Sequence, residues 1–208
     1  DKHETFGNNL TPKIALSYAP RNFNFRISYA RGFRAPGLDE LYYHYYNASM
    51  GGRPVVTFGN KNLNPERSHY FSLSMSYTND KVSVTAMAFL NFINDMIVNN
   101  NIPIDNNAKT MLIKEFPDEI TEATFNKMTT YGQYANSDKG IIRGINLNAS
   151  YAVLTDLDFT ANYAYTYART RSAGIWETLD RSVKNSATVA VNYHHTWGRY
   201  TLNANING

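Results

Sequence analysis

A chain of 208 residues without cysteine excludes a disulfide framework and cysteine-based zinc sites, and no run approaches the ~18 apolar residues of a membrane helix. The net charge of +3 comes from dispersed Lys and Arg, which argues against a nucleic-acid partner. Sixteen Tyr and 11 Phe among many Asn, Ser and Thr form a strand-rich composition with amphipathic rings.

Strict alternation of apolar and polar residues predicts strands with one apolar face. Ile14, Leu16 and Tyr18 oppose Ala15 and Ser17. After Pro20-Arg21-Asn22, Phe23, Phe25, Ile27 and Tyr29 oppose Asn24, Arg26 and Ser28. Residues 28–47, SYARGFRAPGLDELYYHYYN, then break the pattern. Gly32 and Arg34 interrupt the alternation, Pro36 and Gly37 end the ladder, and four tyrosines surround His44. Alternation resumes with Phe71, Leu73, Met75 and Tyr77 against Ser72, Ser74 and Ser76. It continues from Val82 through Val84, Ala86, Ala88 and Leu90 to Phe92.

Residues 99–140 form a second excursion. Within it, residues 117–128 (PDEITEATFNKM) predict a short helix capped by Asp118 or Thr121, with Glu122 favouring the dipole. At residues 140–144 (GIIRG) the chain returns to strand. Ile145, Leu147, Ala149 and Tyr151 form the next apolar face, and Leu157, Phe159, Ala161, Tyr163, Tyr165 and Tyr167 the one after. Ala187, Val189, Val191 and Tyr193, then Tyr200, Leu202, Ala204 and Ile206, complete a set of eight predicted strands.

Short turns near residues 20–22, 78–80, 154–156 and 195–198 alternate with long excursions over 33–66, 99–140 and 170–183. A transmembrane β-barrel places its short turns on one side of the bilayer and its long loops on the other. Tyr18, Tyr77, Tyr151, Tyr193 and Tyr200 fall at the short-turn ends of apolar faces, while Tyr163, Tyr165 and Tyr167 approach a long-loop end. Amphipathic rings concentrate at the two membrane interfaces. The fold expected is therefore all-β, an antiparallel up-and-down transmembrane β-barrel segment. The alternatives are a soluble β-sandwich that binds glycan through its Tyr-rich loops, and a small structural or porin-type barrel.

Two motifs carry a family resemblance. Phe33-Arg34-Ala35-Pro36 resembles the FRAP box of the TonB-dependent outer-membrane receptors. Asn60, Asn62, Leu63, Pro65 and Glu66, within GNKNLNPE, resemble that family's second box, and a strand rich in small polar residues follows in both. Lys61 departs from the pattern, standing where Pro is usual. The segment FLNFINDMI and the pair Arg143-Gly144 are also similar to the family.

The resemblance implies an outer-membrane receptor of a Gram-negative bacterium with a barrel of about 22 strands. Residues 1–208 would then be a piece from the later half of that barrel, with the plug domain and TonB box elsewhere. Outer-membrane lipid would be one partner and TonB, reached through the missing N-terminal part, another. The expected activity is TonB-energised uptake of an iron-containing ligand, with no intrinsic cofactor and no enzymatic step.

Arg34 is expected to tie down the FRAP loop through Asp39 or Glu40. The ligand-binding candidates are Tyr42, Tyr43, His44, Tyr45 and Tyr46. Haem-uptake members of the family carry a histidine between the two boxes, and His44 is the histidine in that interval. An imidazole can ligate haem iron, and flanking rings can stack on a porphyrin or on a ferric siderophore. The same residues suit an upper aromatic girdle with a solvated His44. His69 is a weaker candidate, and His194-His195 lies at a short turn, on the wrong side for capture. No catalytic motif is present.

Overall fold

The computed structural model describes residues 2–3, 7–47, 54–121, 125–172, 174–179 and 183–208. Beyond a two-residue ladder of β1 (Lys2–His3) with β2 (Gly7–Asn8), its framework is a single sheet of eight long strands. They are β3 (Lys13–Tyr18), β4 (Phe23–Arg34), β7 (Glu66–Thr78), β8 (Val82–Asn94), β11 (Lys139–Leu154), β12 (Leu157–Ser172), β14 (Asn185–Trp197) and β15 (Tyr200–Asn207). Each pairs antiparallel with the next in that order, giving an up-and-down meander. All eight strands expected from the alternation are present. A short β13 (Ile175–Thr178) adds to the outer end of β12.

Register fixes the two faces. Leu16, Ile27, Leu73, Ala88, Ile145 and Tyr165 are successive partners across six strands, so the apolar residues form continuous rows. Leu16, Ile27, Leu73 and Ile145 are 69, 57, 59 and 47% exposed, because no second layer covers them. A sandwich would bury these rows under a facing sheet, so the sandwich expectation is not met. The opposite face is polar: Arg26 faces Ser74, Ser28 Oγ lies 2.7 Å from Ser72 Oγ, and Asn148 stands between Thr85 and Asn162. No helix among the described residues is long and apolar enough to cross a membrane, which leaves strands free to do so.

The long excursions are themselves folded. β5 (His44–Asn47), β6 (Val55–Phe58), β9 (Ile97–Pro103) and β10 (Thr130–Asn136) form a second sheet in the order β5-β6-β10-β9, with β6 and β10 parallel. Helix α1 (Leu38–Tyr42) follows the FRAP loop, and α2 (Asn106–Glu115) follows β9. The molecule's main buried cluster lies here: Val56, Leu112, Phe116, Ile120 and Met128.

The helix expected over residues 117–128 lies partly outside the described residues, and a different helix precedes it. α2 lies before that segment, capped by the Asp105 side chain, which accepts from the Ala108 amide at 2.7 Å. Residues 117–119 form a turn, and residues 122–124, including Glu122, lie outside the described residues. The Phe125 amide does reach the Thr121 carbonyl at 2.9 Å, so helical geometry is met at the end of the segment.

Candidate functional site

The two sequence boxes meet. Arg34 ends β4 opposite Glu66, which begins β7. Arg34 Nε and Nη2 donate to the two Glu66 oxygens at 2.8 and 2.7 Å, and Nη1 donates to both Glu40 oxygens at 2.9 Å. Glu40 is thus one expected partner, while Glu66 takes the place that Asp39 was expected to share. Glu66 Oε1 also accepts from the Ile97 amide at 2.8 Å, and Glu40 Oε2 from the Gly37 amide at 2.8 Å. One guanidinium therefore joins β4, β7, α1 and the start of β9. Burial alone would raise the Glu66 carboxyl, but bonds from Arg34 and the Ile97 amide, with the Arg34 charge, hold it below its ordinary range. The Glu66 hydrogen bond raises Arg34 above its ordinary value, against the opposing pull of burial.

Other residues of the boxes are structural. Pro36 and Leu63 are buried, Phe33 and Ala35 are half-buried, and Asn60 Oδ1 accepts from the Asn62 amide at 2.9 Å. Pro65 leads directly into β7. The Gly59 amide donates to the Tyr43 carbonyl at 2.7 Å and the Asn60 amide to the Glu40 carbonyl at 2.8 Å. A Cβ on Gly59 would lie 2.5 Å from the Tyr43 nitrogen and 2.6 Å from that of Tyr42, so only glycine lets the second box press against the first. Asn136 completes the junction, with its side chain bonding Asn64 through both backbone groups and the Asp95 carbonyl at 2.7 Å.

The aromatic cluster is divided by strand alternation. His44 and Tyr46 face the loop core: the His44 ring centroid is 4.4 Å from that of Phe116, and Tyr46 donates its hydroxyl to the Glu119 carbonyl at 3.1 Å. Tyr43 and Tyr45 stack on each other at 5.2 Å. Tyr42 ends α1 with the Lys61 ammonium 5.4 Å above its ring. His44 remains half-exposed, and its Nε2 lies 3.3 Å from Glu115 Oε2.

Tyr42, Tyr43, His44, Lys61, Glu115 and Tyr131 line a cavity of about 500 Å³ open to one side. That volume is within the range of small-molecule sites, about 300–1,000 Å³. Neither Glu115 nor Tyr131 was singled out in the sequence, because both come from the second excursion and meet the first through the parallel β6–β10 pairing. Burial, with Asp39, Glu40 and Tyr43 nearby, pushes the Tyr134 phenol up, which leaves it a neutral hydrogen-bonding group. His69 stands apart from this cavity, on the apolar face of β7, where its Nδ1 lies 2.9 Å from the Tyr29 hydroxyl. His195 pairs with Asp156 at the short-turn end. Among the described residues, no group of three His, Asp or Glu side chains stands ready to hold a metal.

A one-layer strand wall with an apolar outer face, carrying a folded loop layer with a cleft at one end, is the architecture of an outer-membrane barrel receptor. The chain belongs to the family described as TonB dependent receptor-like, beta-barrel, whose model matches residues 1–208. Members of this family are outer-membrane transport receptors rather than enzymes.

Three solved structures illustrate the fold. A siderophore receptor, PirA of Pseudomonas aeruginosa, is 20% identical with a TM-score of 0.62, the match covering 100% of this chain and 35% of that one. The copper transporter OprC is 15% identical with a TM-score of 0.64, covering 93% of this chain and 25% of that one. The ferric enterobactin receptor PfeA of Pseudomonas aeruginosa is 15% identical with a TM-score of 0.58, covering 98% and 35%. The chain thus spans about a third of the length of the receptors it resembles. No curated protein sequence matched it.

Proposed function

We propose that the chain forms wall and outer loops of an outer-membrane receptor that takes up an iron chelate with energy supplied through TonB. It belongs, on this reading, to the later half of the barrel, while the plug and the TonB box are in other parts of the receptor. The observation that carries the reading is the cleft between Tyr42, Tyr43, His44 and Lys61, built where the two family boxes lock together. Tyrosine rings offer stacking surfaces to an aromatic chelate, and Lys61 offers a cation to an anionic one. Tyr45 stacks on Tyr43, and Tyr46 packs on Phe116, which in turn backs His44, from within the loop sheet.

Haem is the second reading, favoured by the half-exposed imidazole of His44 on the cavity wall. It makes His44 an axial ligand to the haem iron, with Glu115 orienting the ring as hydrogen-bonded carboxylates orient other metal-ligating histidines.

Titrating the intact receptor in detergent separates the two. Quenching of protein fluorescence by a ferric catecholate, retained in His44→Ala and weakened about tenfold in Tyr43→Ala, supports the chelate reading. A saturable Soret shift with haem that His44→Ala abolishes supports haem instead. Binding of neither probe removes both ligands.

A further inference from the structure

The loop sheet has two faces, and the aromatic cleft uses one of them. Tyr131 and Gln133 of β10 line that cleft, so the next residue in the strand, Tyr134, points to the other side. There a second cavity, of about 520 Å³, opens between β9 and the outer ends of β12 and β13. Asn99, Asn100 and Asn101 of β9 stand on one side of it, and Thr170, Ser172 and Thr178 on the other. Asn99 leans across β10. A Cβ on Gly132 would lie 2.7 Å from Asn99 Oδ1 and 2.9 Å from Thr57 Oγ1, so glycine leaves the amide its place.

These groups hold unspent hydrogen-bonding capacity. Among the described residues, the side chains of Asn99, Asn100, Asn101, Tyr134 and Ser172 form no hydrogen bond, and Thr170 makes only a long one to the Lys139 carbonyl at 3.4 Å. The described lining holds no Lys, Arg or His, and its one carboxylate, Glu177, is exposed. The aromatic cleft differs, since it carries Lys61 and His44. The same uncharged chemistry continues down the inward face of the wall. From Thr170 to Thr160 the inward residues of β12 are Thr, Ala, Thr, Ala, Asn and Thr, and the first charge below them is Asp158. Asn162 stands between Asn148 of β11 and Thr188 of β14, one row from Asn146 and Ser186. These residues enclose a smaller polar cavity of about 160 Å³.

The lining describes its ligand. An asparagine amide sets a donor and an acceptor side by side, and a hydroxyl can act as either. Adjacent hydroxyls of a pyranose match such pairs. A phosphate or carboxylate would instead meet acceptors without a cation to offset its charge. Ile97, Val98 and Leu179 add apolar contact for the C–H faces of a sugar, and the Tyr134 ring adds a flat surface with a neutral hydroxyl. We propose that the cleft between β9 and the outer ends of β12 and β13 binds an uncharged oligosaccharide, separately from the ligand of the aromatic cleft. The inference goes beyond the chelate reading and does not rest on it.

The test is isothermal titration calorimetry on the intact receptor in a detergent without sugar headgroups. Maltohexaose, cellohexaose and chitohexaose serve as uncharged probes and hexagalacturonate as a charged one. Saturable binding of at least one uncharged hexaose is expected, at least tenfold tighter than hexagalacturonate. Asn99→Ala/Asn101→Ala should weaken it at least tenfold and Tyr134→Phe several-fold, while Lys109→Gln on α2 leaves it unchanged. A saturating ferric catecholate should not alter the hexaose affinity. Failure of all the uncharged probes with the wild-type receptor would overturn the proposal without any variant having to fold. Equal affinity for hexagalacturonate would overturn the uncharged class. Competition with the catecholate would overturn the proposal too, assigning the sugar to the aromatic cleft. Chelate binding without hexaose binding refutes this inference alone, while the reverse refutes the chelate reading alone.

Discussion

Arg34 and Glu66 face each other as register partners at the outer ends of β4 and β7 and close a two-bond fork at 2.7 and 2.8 Å. The fork joins residues 32 positions apart, and its remaining nitrogen takes Glu40. Bidentate guanidinium–carboxylate bonds fix orientation as well as supplying attraction. The FRAP box and the second box are therefore two halves of one clamp.

Removing the cation leaves both carboxylates, each largely shielded from solvent, without their partner. Arg34→Ala should destabilise the loop junction by about 2 kcal/mol, discounted for the exposure of the Arg34 side chain. Hydrogen exchange in the intact receptor should then accelerate across residues 35–65 while the strands from β11 to β15 keep their protection. The pH dependence has a fixed sign. Because folding depresses the Glu66 carboxyl, the clamp's contribution is complete above the ordinary glutamate value of about 4.3 and is lost as pH falls through the lower folded value. Loop protection factors, corrected for the pH dependence of intrinsic amide exchange, should thus be flat from neutrality to about pH 5 and fall only in stronger acid.

Gly59 is the closest backbone contact between the boxes. Gly59→Ala forces a methyl against the Tyr42 and Tyr43 amides and should displace α1 by several tenths of an ångström, at a strain of about 1–3 kcal/mol. The reading is a chelate affinity at least several-fold weaker, measured by fluorescence titration, with unchanged barrel assembly.

Phe116 holds the loop layer together, touching His44, Tyr46 and Phe58. Phe116→Ala should destabilise that layer by about 3–5 kcal/mol. Protease should then cut within residues 97–136 of the folded receptor far faster than in wild type, with the wall intact. Coincident loss of wall and loop layer would mean they are one cooperative unit.

The wall was legible in the sequence because its apolar faces repeat every second residue, as in Leu73, Met75 and Tyr77 against Ser72, Ser74 and Ser76. The loop sheet was not. β6 has four residues, β9 reads IVNNNIP, and β6 meets β10 in parallel across 70-odd positions, so neither periodicity nor a turn announces the pairing. α2, NNAKTMLIKE, buries only Ala108 and Leu112, and its opening asparagines suggest a loop. The polar cleft was missed for a related reason. β9 shows no apolar alternation over residues 99–101, and β12 runs on to Ser172 after the apolar residues that signal it have ended. At the clamp, Glu40 could be named from its nearness in sequence, whereas Glu66 required the register.

The central claim is that the Leu16–Ile27–Leu73–Ile145 rows face lipid and the intervening polar residues face the lumen. The chain itself carries no cysteine, so one measurement is available in a receptor freed of any cysteine elsewhere. Leu73→Cys and Ser74→Cys, each in the intact receptor in bilayers, are challenged with a water-soluble maleimide and, after labelling in detergent with a fluorophore, with a lipid-bound quencher. The wall predicts that position 73 resists the maleimide and is quenched from the bilayer, while position 74 reacts and is not quenched. Reaction of both positions with the maleimide, or the reverse pattern, would contradict it.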